Sequence, residues 1–167
     1  MRDYFSGILM TMEDQFNVGD AVTVSGVTGT VEEVTMRLTR FRGVDGTLHI
    51  IPNGDIRLVG NLSRGWARAV VDVTLAGRAG SELDEVRRLV DDAARRVAAT
   101  PRFAAHCTEP PQVLGLDAAG SATLTMRVML RTVPSQRDAL TRALREELVG
   151  ALARAGLWPA EVAPGTP

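Results

Sequence analysis

The chain has 167 residues, a net charge of −1, 45% hydrophobic and 23% charged residues, which is room for one ordinary domain or two small ones with true cores. The near-neutral balance argues against a general nucleic-acid binder, which concentrates basic charge on one surface. The lone Cys107 excludes an intrachain disulfide and a cysteine-based metal cluster.

Aromatics make up 4% of the chain, so any core must be built from Val, Leu, Ile, Ala and Met. All 19 basic residues are Arg, which reads as a genome composition bias before it reads as function. His49 and His106 are too few and too isolated for a zinc site, and no cofactor is expected. His106 adjoins Cys107, but sequence neighbours rarely aim their side chains at one another productively. No run approaches the ~20 apolar residues of a transmembrane helix. Ile8-Leu9-Met10 is too short for a secretory signal, and Asp3 sits where positive charge belongs. The chain is therefore not expected to span a membrane by itself.

Tyr4 to Phe16 reads as a helix: Tyr4, Phe5, Ile8, Leu9 and Met12 recur at helical spacing, interrupted by Gly7. A helix this short is marginal in water and needs a partner. Asn17 to Asp20 is a turn. Residues 17–67 then read as an all-β module. Val22 and Val24 alternate in a strand over Ala21 to Ser25, and Gly26 and Gly29 punctuate a loop. Thr30 to Arg42 reads as one long strand, with Val34, Met36 and Leu38 on one face. Asp45-Gly46 is a hairpin signal, and Thr47 to Ile51 is the returning strand. Pro52-Asn53-Gly54 ends it, followed by a helix or turn over Asp55 to Val59 and a break at Gly60-Asn61. Short bent strands joined by Gly turns suggest a small barrel.

The grammar changes after residue 67. Ala69 to Leu75 alternates as a strand. Ser81 is an N-cap candidate for a helix to Ala99, with Leu83, Val86, Leu89, Val90, Ala93, Ala94 and Val97 on one face. Two strands, Gln112 to Leu116 and Ala122 to Thr132, are joined by an Ala118-Ala119-Gly120-Ser121 turn. Leu124, Met126, Val128 and Leu130 point inward. A second helix from about Ser135 carries a Leu140, Leu144, Leu148, Leu152 stripe, read as core, and stops at Gly156. The order β-α-β-β-α is a ferredoxin-like split βαβ unit whose last strand is missing or hidden in the tail. The tail itself reads as frayed.

Several strings now fall in one order. Phe16-Asn17-Val18-Gly19-Asp20-Ala21-Val22 resembles an "F-x-x-G-[DE]-x-V" opening, and Gly29-Thr30-Val31-Glu32-Glu33-Val34 a "G-x-V-x-x-[IV]" strand start. Thr39 to Arg42 with Asp45 and Gly46 resembles a "T-x-[LIM]-R-x-x-D-G" hairpin. Ile51-Pro52-Asn53 and Asn61-Leu62-Ser63-Arg64 resemble "[IV]-P-N" and "N-x-S-R". Together they resemble the β domain of the small-conductance mechanosensitive channel (MscS) family, and the following β-α-β-β-α order is similar to that family's αβ domain.

The resemblance implies an α+β chain: a short N-terminal helix, an Sm-like β-barrel domain and a ferredoxin-like domain. The boundaries it implies are 1–15 for the end of a pore-lining helix, 16–66, 67–160, and 161–167 for a flexible tail. It implies motif positions at Phe16, Gly19, Asp20, Gly29, Thr39, Arg42, Asp45, Gly46, Pro52, Asn53, Asn61, Ser63 and Arg64. Ser6, Gly7 and Met10 would lie on the pore-proximal helix. It further implies a homo-oligomer, a heptamer in the family, whose β domains form a ring. The αβ domains would enclose a cytoplasmic chamber passed by ions and small osmolytes, below a tension-gated pore in the inner membrane. The membrane segments would precede residue 1. The family's apolar-Pro-aromatic-Pro terminal strand has only a trace here, Leu157-Trp158-Pro159.

Two other readings compete on the residues. An Sm-like RNA-binding module would use Arg37, Arg40 and Arg42, yet only Phe41 is near them for base stacking. Surface or subunit ion pairing is favoured for these arginines, and no nucleic-acid partner is expected. A ferredoxin-like hydrolase needs a phosphate-binding loop with a convergent Arg and Asn; Gly26 and Gly29 lack the GK[ST] ending, so no enzyme is expected. Arg127 and Arg131 face either a portal or solvent.

Overall fold

A computed structural model describes residues 13–76, 83–119, 123–157 and 159–165. The chain forms two compact units, Met1–Arg64 and Gly65–Pro167. No described helix is long and apolar enough to cross a membrane. Ser6, Gly7, Met10, Ser81 and Trp158 lie outside the described residues.

The first unit is one antiparallel sheet. Its strands are β1 (Ala21–Val24), β2 (Val27–Val34), β3 (Leu38–Gly43), β4 (Leu48–Pro52) and β5 (Val59–Asn61), in the order β4-β3-β2-β1-β5. This is the small sheet expected of an Sm-like module, with β4 and β5 at its two ends. Alternation decides the faces: Val22, Val24, Val31 and Phe41 turn inward and are essentially fully buried, joined by Phe16. Val34, Ile51, Ile56 and Val59 pack on the same cluster.

Five expectations for this unit are corrected. Thr30 to Arg42 is not one strand; residues 35–37 form a turn between β2 and β3. The Thr35 hydroxyl accepts from the Leu38 N–H (3.1 Å) and donates to the Leu38 carbonyl (2.9 Å), offering the backbone a local alternative to the ladder. Val27 to Gly29 belong to β2 rather than a loop; the turn before them is the two-residue Ser25-Gly26 hairpin, both with positive φ. The helical turn after β4 lies at Asn53–Asp55, not Asp55 to Val59, and Gly60-Asn61 is no break but part of β5, with Asn61 opposite Val22. The helix read through Phe16 does not reach it: Glu13 and Asp14 form a turn with Asp14 at φ 51°, and Phe16 is 5% exposed in the β core.

The second unit is a helix-covered sheet of β6 (Ala67–Ala76), β7 (Gln112–Ala119), β8 (Thr123–Thr132) and β9 (Pro159–Pro164), in the order β7-β8-β6-β9 and antiparallel throughout. Helix α1 (Leu83–Ala98) packs on β7 and β8, and α2 (Arg137–Arg154) on β6 and β9. Chain order and sheet order together are those of a split βαβ unit, ferredoxin-like as expected. The core is the inward face of β6 (Ala69, Val71, Val73, Leu75) and β8 (Met126, Val128, Leu130) against Val86, Val90, Ala93, Ala94 and Val97 of α1 and the leucine stripe of α2. Acids at the start of α1 (Asp84, Glu85) and Arg95 and Arg96 at its end suit the helix dipole.

The end of α2 shows how local chemistry sets the topology. Gly156 takes φ 74°, and its N–H donates to the Ala153 carbonyl (3.0 Å) while that of Leu157 donates to Leu152 (2.9 Å). This paired capping geometry satisfies the last carbonyls and turns the chain back toward the sheet. The segment expected to fray, 161–167, then supplies residues 161–164 to β9, whose Val162 packs on the core and lies opposite Val73. A tail of Pro, Ala and Gly carries weak strand propensity, and tertiary pairing overrides it. Ala118 and Ala119, read as a turn, extend β7 instead.

Candidate functional site

The motif residues of the first unit gather in three clusters, each fastening a piece of backbone. The first joins two strings that lie over forty residues apart. Gly19 holds the tight turn at φ 95°, a conformation that favours glycine, and its N–H donates to the Val31 carbonyl (2.8 Å). Asp20 Oδ2 accepts from the Asn17 N–H (3.1 Å) and from Asn61 Nδ2 (3.0 Å). The Asn61 amide also donates to the Gln15 carbonyl (3.1 Å), and its oxygen accepts from the Ser63 N–H (2.9 Å). Ser63 Oγ in turn accepts from the Ala21 N–H (2.8 Å). Arg64 pairs with Asp14 (3.0 Å) and Asp20 (3.6 Å) and donates to the Asp14 carbonyl. The Asn61 amide, ahead of the Asn17 N–H, holds the Asp20 carboxyl below the usual range, and Arg64 does the same for Asp14. This clasp anchors the chain entering the unit to its last strand and flanks in sequence the buried Phe16.

The second cluster is buried. The Thr39 hydroxyl donates to Asn53 Oδ1 (2.9 Å), Asn53 Nδ2 to the Thr35 carbonyl (2.8 Å), and the Asn53 N–H to the Arg37 carbonyl (2.8 Å). Pro52, last residue of β4, sets Asn53 in place at the head of the helical turn. The third cluster builds the β3–β4 hairpin. Asp45 accepts from the Thr47 N–H (3.0 Å) and hydroxyl (2.8 Å), which lowers its pKa. Arg42 pairs with Glu32 and donates to the Gly46 carbonyl (2.9 Å). Gly29 is in the strand opposite: a Cβ there would lie 2.7 Å from the Arg42 carbonyl carbon and 2.9 Å from Cδ2 of Phe41.

Each cluster closes its own stretch of backbone, and the contact between the Thr47 hydroxyl and the Asp45 carboxylate serves to close a hairpin turn. Among the described residues no group of three His, Cys, Asp or Glu is placed to hold a metal. Arg40 and Arg42 are ion-paired with Glu33 and Glu32 across β2–β3, so the basic face is charge-compensated within the sheet. Sequence reading named these arginines but missed the glutamates, although the facing strands carried the signal. In the second unit Arg127 pairs with Asp72 through two bonds (2.8 and 2.9 Å), and Arg131 pairs with Glu109. Cys107 lines an open cleft with Arg95, Thr108 and Glu109, and burial raises its thiol pKa. A raised thiol is a poor nucleophile.

The remaining notable feature is an edge. β4 is an end strand, and it shows Leu48 (41% exposed) and Ile50 (54%) to solvent. An apolar edge strand is a template for pairing with another chain.

Residues 1–64 match the family model described as "Mechanosensitive ion channel, beta-domain". The chain is 36% identical over 146 residues to the small-conductance mechanosensitive channel of Caldanaerobacter subterraneus subsp. tengcongensis, covering 87% of this chain and 50% of that protein. It is 25% identical over 148 residues to the moderate conductance mechanosensitive channel YbiO of Escherichia coli, covering 89% of this chain and 20% of that one. The chain thus spans half or less of these relatives. Among solved structures its fold is similar to Helicobacter pylori MscS in a closed state (TM-score 0.75, 18% identity, 99% of this chain and 64% of that one). It is also similar to Arabidopsis thaliana MSL1 (TM-score 0.71, 15% identity, 96% of this chain and 58% of that one).

Proposed function

Because this chain belongs to the MscS family of mechanosensitive channels, we propose that it is the region of such a channel that forms a ring and chamber on the cytoplasmic side of a tension-gated pore. In this reading the first unit assembles side by side with copies of itself in the inner membrane's shadow, as a heptamer. The second unit walls the chamber through which ions and small osmolytes pass. The stretch ahead of the turn at Glu13 and Asp14 would continue a pore-lining helix, with Ser6, Gly7 and Met10 closest to the pore. The chain is then a conduit and not an enzyme.

The observation that carries the reading is the 36% identity over 146 residues, a span that includes both units rather than the β module alone. The physical chemistry supports it. The apolar end strand β4 suits assembly. The Asp14–Arg64 and Asn61–Gln15 contacts tie the incoming segment to the sheet, so force on that segment would be passed to the first unit. The RNA reading draws no support from a basic face already compensated by Glu32 and Glu33.

The test is patch-clamp recording from giant spheroplasts of channel-deficient cells that express the gene encoding this chain. Suction is expected to open a conductance absent from the empty host. A membrane that stays silent up to its lytic tension would overturn the proposal.

A further inference from the structure

The helix-free face of the second unit's sheet carries an exposed aromatic with two cations stacked on it. Trp66 is 52% exposed, and the guanidinium carbons of Arg68 and Arg131 lie 4.8 and 4.7 Å from its ring centroid. Arg68 and Arg131 are direct cross-strand partners of β6 and β8. Like charges opposite each other repel, so the pair needs compensation. Glu109 neutralises Arg131, and the indole face receives both cations, which leaves one positive charge in excess at Arg68. On the same face lie Val70 and Met129, cross-strand partners and half-buried, with Leu114 46% exposed on β7. A half-exposed Trp flanked by Arg, on a rigid sheet, has the composition of an interface anchor rather than of an ordinary solvated surface.

We propose that this Trp66–Arg68–Arg131 patch docks against the acidic first turn of α1, Asp84 and Glu85, on a second copy of this chain. Both acids are exposed, and among the described residues neither enters an ion pair. They lie on the helical layer of the unit, while the patch lies on its sheet layer. A closed ring of three or more copies joins two different surfaces of one chain at each contact, and complementary patches on different layers meet that condition. The partner is set by charge: the excess positive end of the patch meets a paired negative end on the neighbour. The inference rests on the homo-oligomer reading above, and its test separates the two.

The test is sedimentation of the full chain over a concentration series, with circular dichroism to verify folding. Trp66→Ala and Arg68→Glu are each expected to weaken self-association roughly ten-fold or more, the size of an anchor loss. Combining Arg68→Glu with Glu85→Arg is expected to recover most of it, which a merely structural role for Arg68 would not produce. Should Trp66→Ala lose its fold, the surface charge pair alone decides. Leu48→Asp with Ile50→Asp serves as the control for the other interface. Wild-type association in both Trp66→Ala and Arg68→Glu, alongside loss in the β4 control, overturns the patch and leaves the oligomer reading standing. A wild-type chain that never associates overturns both.

Discussion

Thr39 and Asn53, fourteen residues apart and both fully buried, close on each other through a 2.9 Å hydrogen bond from the threonine hydroxyl to the asparagine carbonyl oxygen. That bond holds the Asn53 amide where it can donate to the Thr35 carbonyl, and so fixes the turn that divides β2 from β3. Removing Asn53 leaves a buried hydroxyl and a turn carbonyl without partners. Asn53→Ala is expected to lower the stability of the first unit by about 1–3 kcal/mol, and Thr39→Val by a similar or smaller amount. In a double-mutant cycle read by urea denaturation, the two changes should be non-additive by at least about 0.5 kcal/mol. Additive losses would contradict a shared bond.

Gly29 sits opposite Gly43 in the β2–β3 ladder, where any side chain would press into the Arg42 backbone and the Phe41 ring. Gly29→Val is expected to cost about 1–3 kcal/mol or more through overpacking. Gly29→Ala should also destabilise, because the obstruction begins at Cβ. A thermal midpoint unchanged in both variants would refute this.

The acid sensitivity of the first unit has a definite sign. Asp14, Asp20 and Asp45 all have pKa values held below the ordinary 3.8 by hydrogen bonds to Arg64, to the Asn61 amide and to the Thr47 N–H respectively. A carboxylate depressed in the folded state contributes stability that is fully present above its unfolded pKa and is lost as pH falls through the folded one. Stability should therefore be flat from neutral pH down to about 5 with respect to these groups, and should fall below pH 3.8. Asp20→Asn should flatten part of that decline. An identical acid limb in wild type and Asp20→Asn would argue against the clasp.

The leucine stripe of α2 is wholly buried in the second unit's core. Leu140, Leu144, Leu148 and Leu152 are each 0% exposed. Leu144→Ala, at the centre, is expected to cost about 2–5 kcal/mol from lost burial and the cavity left behind. Denaturant midpoints of the second unit measure it. A loss under 1 kcal/mol would mean that the site collapses around the deletion.

Deleting residues 159–167 removes β9 and bares the edge of β6. The truncated chain is expected to melt earlier and to aggregate on heating, since an unpaired apolar strand edge invites intermolecular pairing. A truncation as stable and soluble as the full chain would show that the terminal strand adds nothing to the sheet.

Much of this architecture was legible without coordinates, because it is periodic. Alternation placed Val22, Val24, Val71, Val73, Met126 and Val128 inward, and the 3.6-residue stripes of both helices matched their buried faces. Asp45-Gly46 named its own hairpin through a local hydrogen-bond pattern that needs no distant partner. The motif positions were legible as strings, yet their meaning was not: nothing in Asn61-Leu62-Ser63-Arg64 announces that it grips Asp14, Gln15, Asp20 and Ala21.

What the amino-acid order alone determined, then, is whatever depends on neighbours within a turn or two of helix or strand: element type, facing, capping and tight turns. Only the tertiary structure decided the split of Thr30 to Arg42 into two strands, the capture of a Pro-Ala tail as β9, the pairing of Arg40 and Arg42 with glutamates, and the stacking of two arginines on Trp66. Each of these joins residues from separate elements. Their free energy comes from groups that meet only after the chain has closed its long loops, so short-range propensity carries no trace of them.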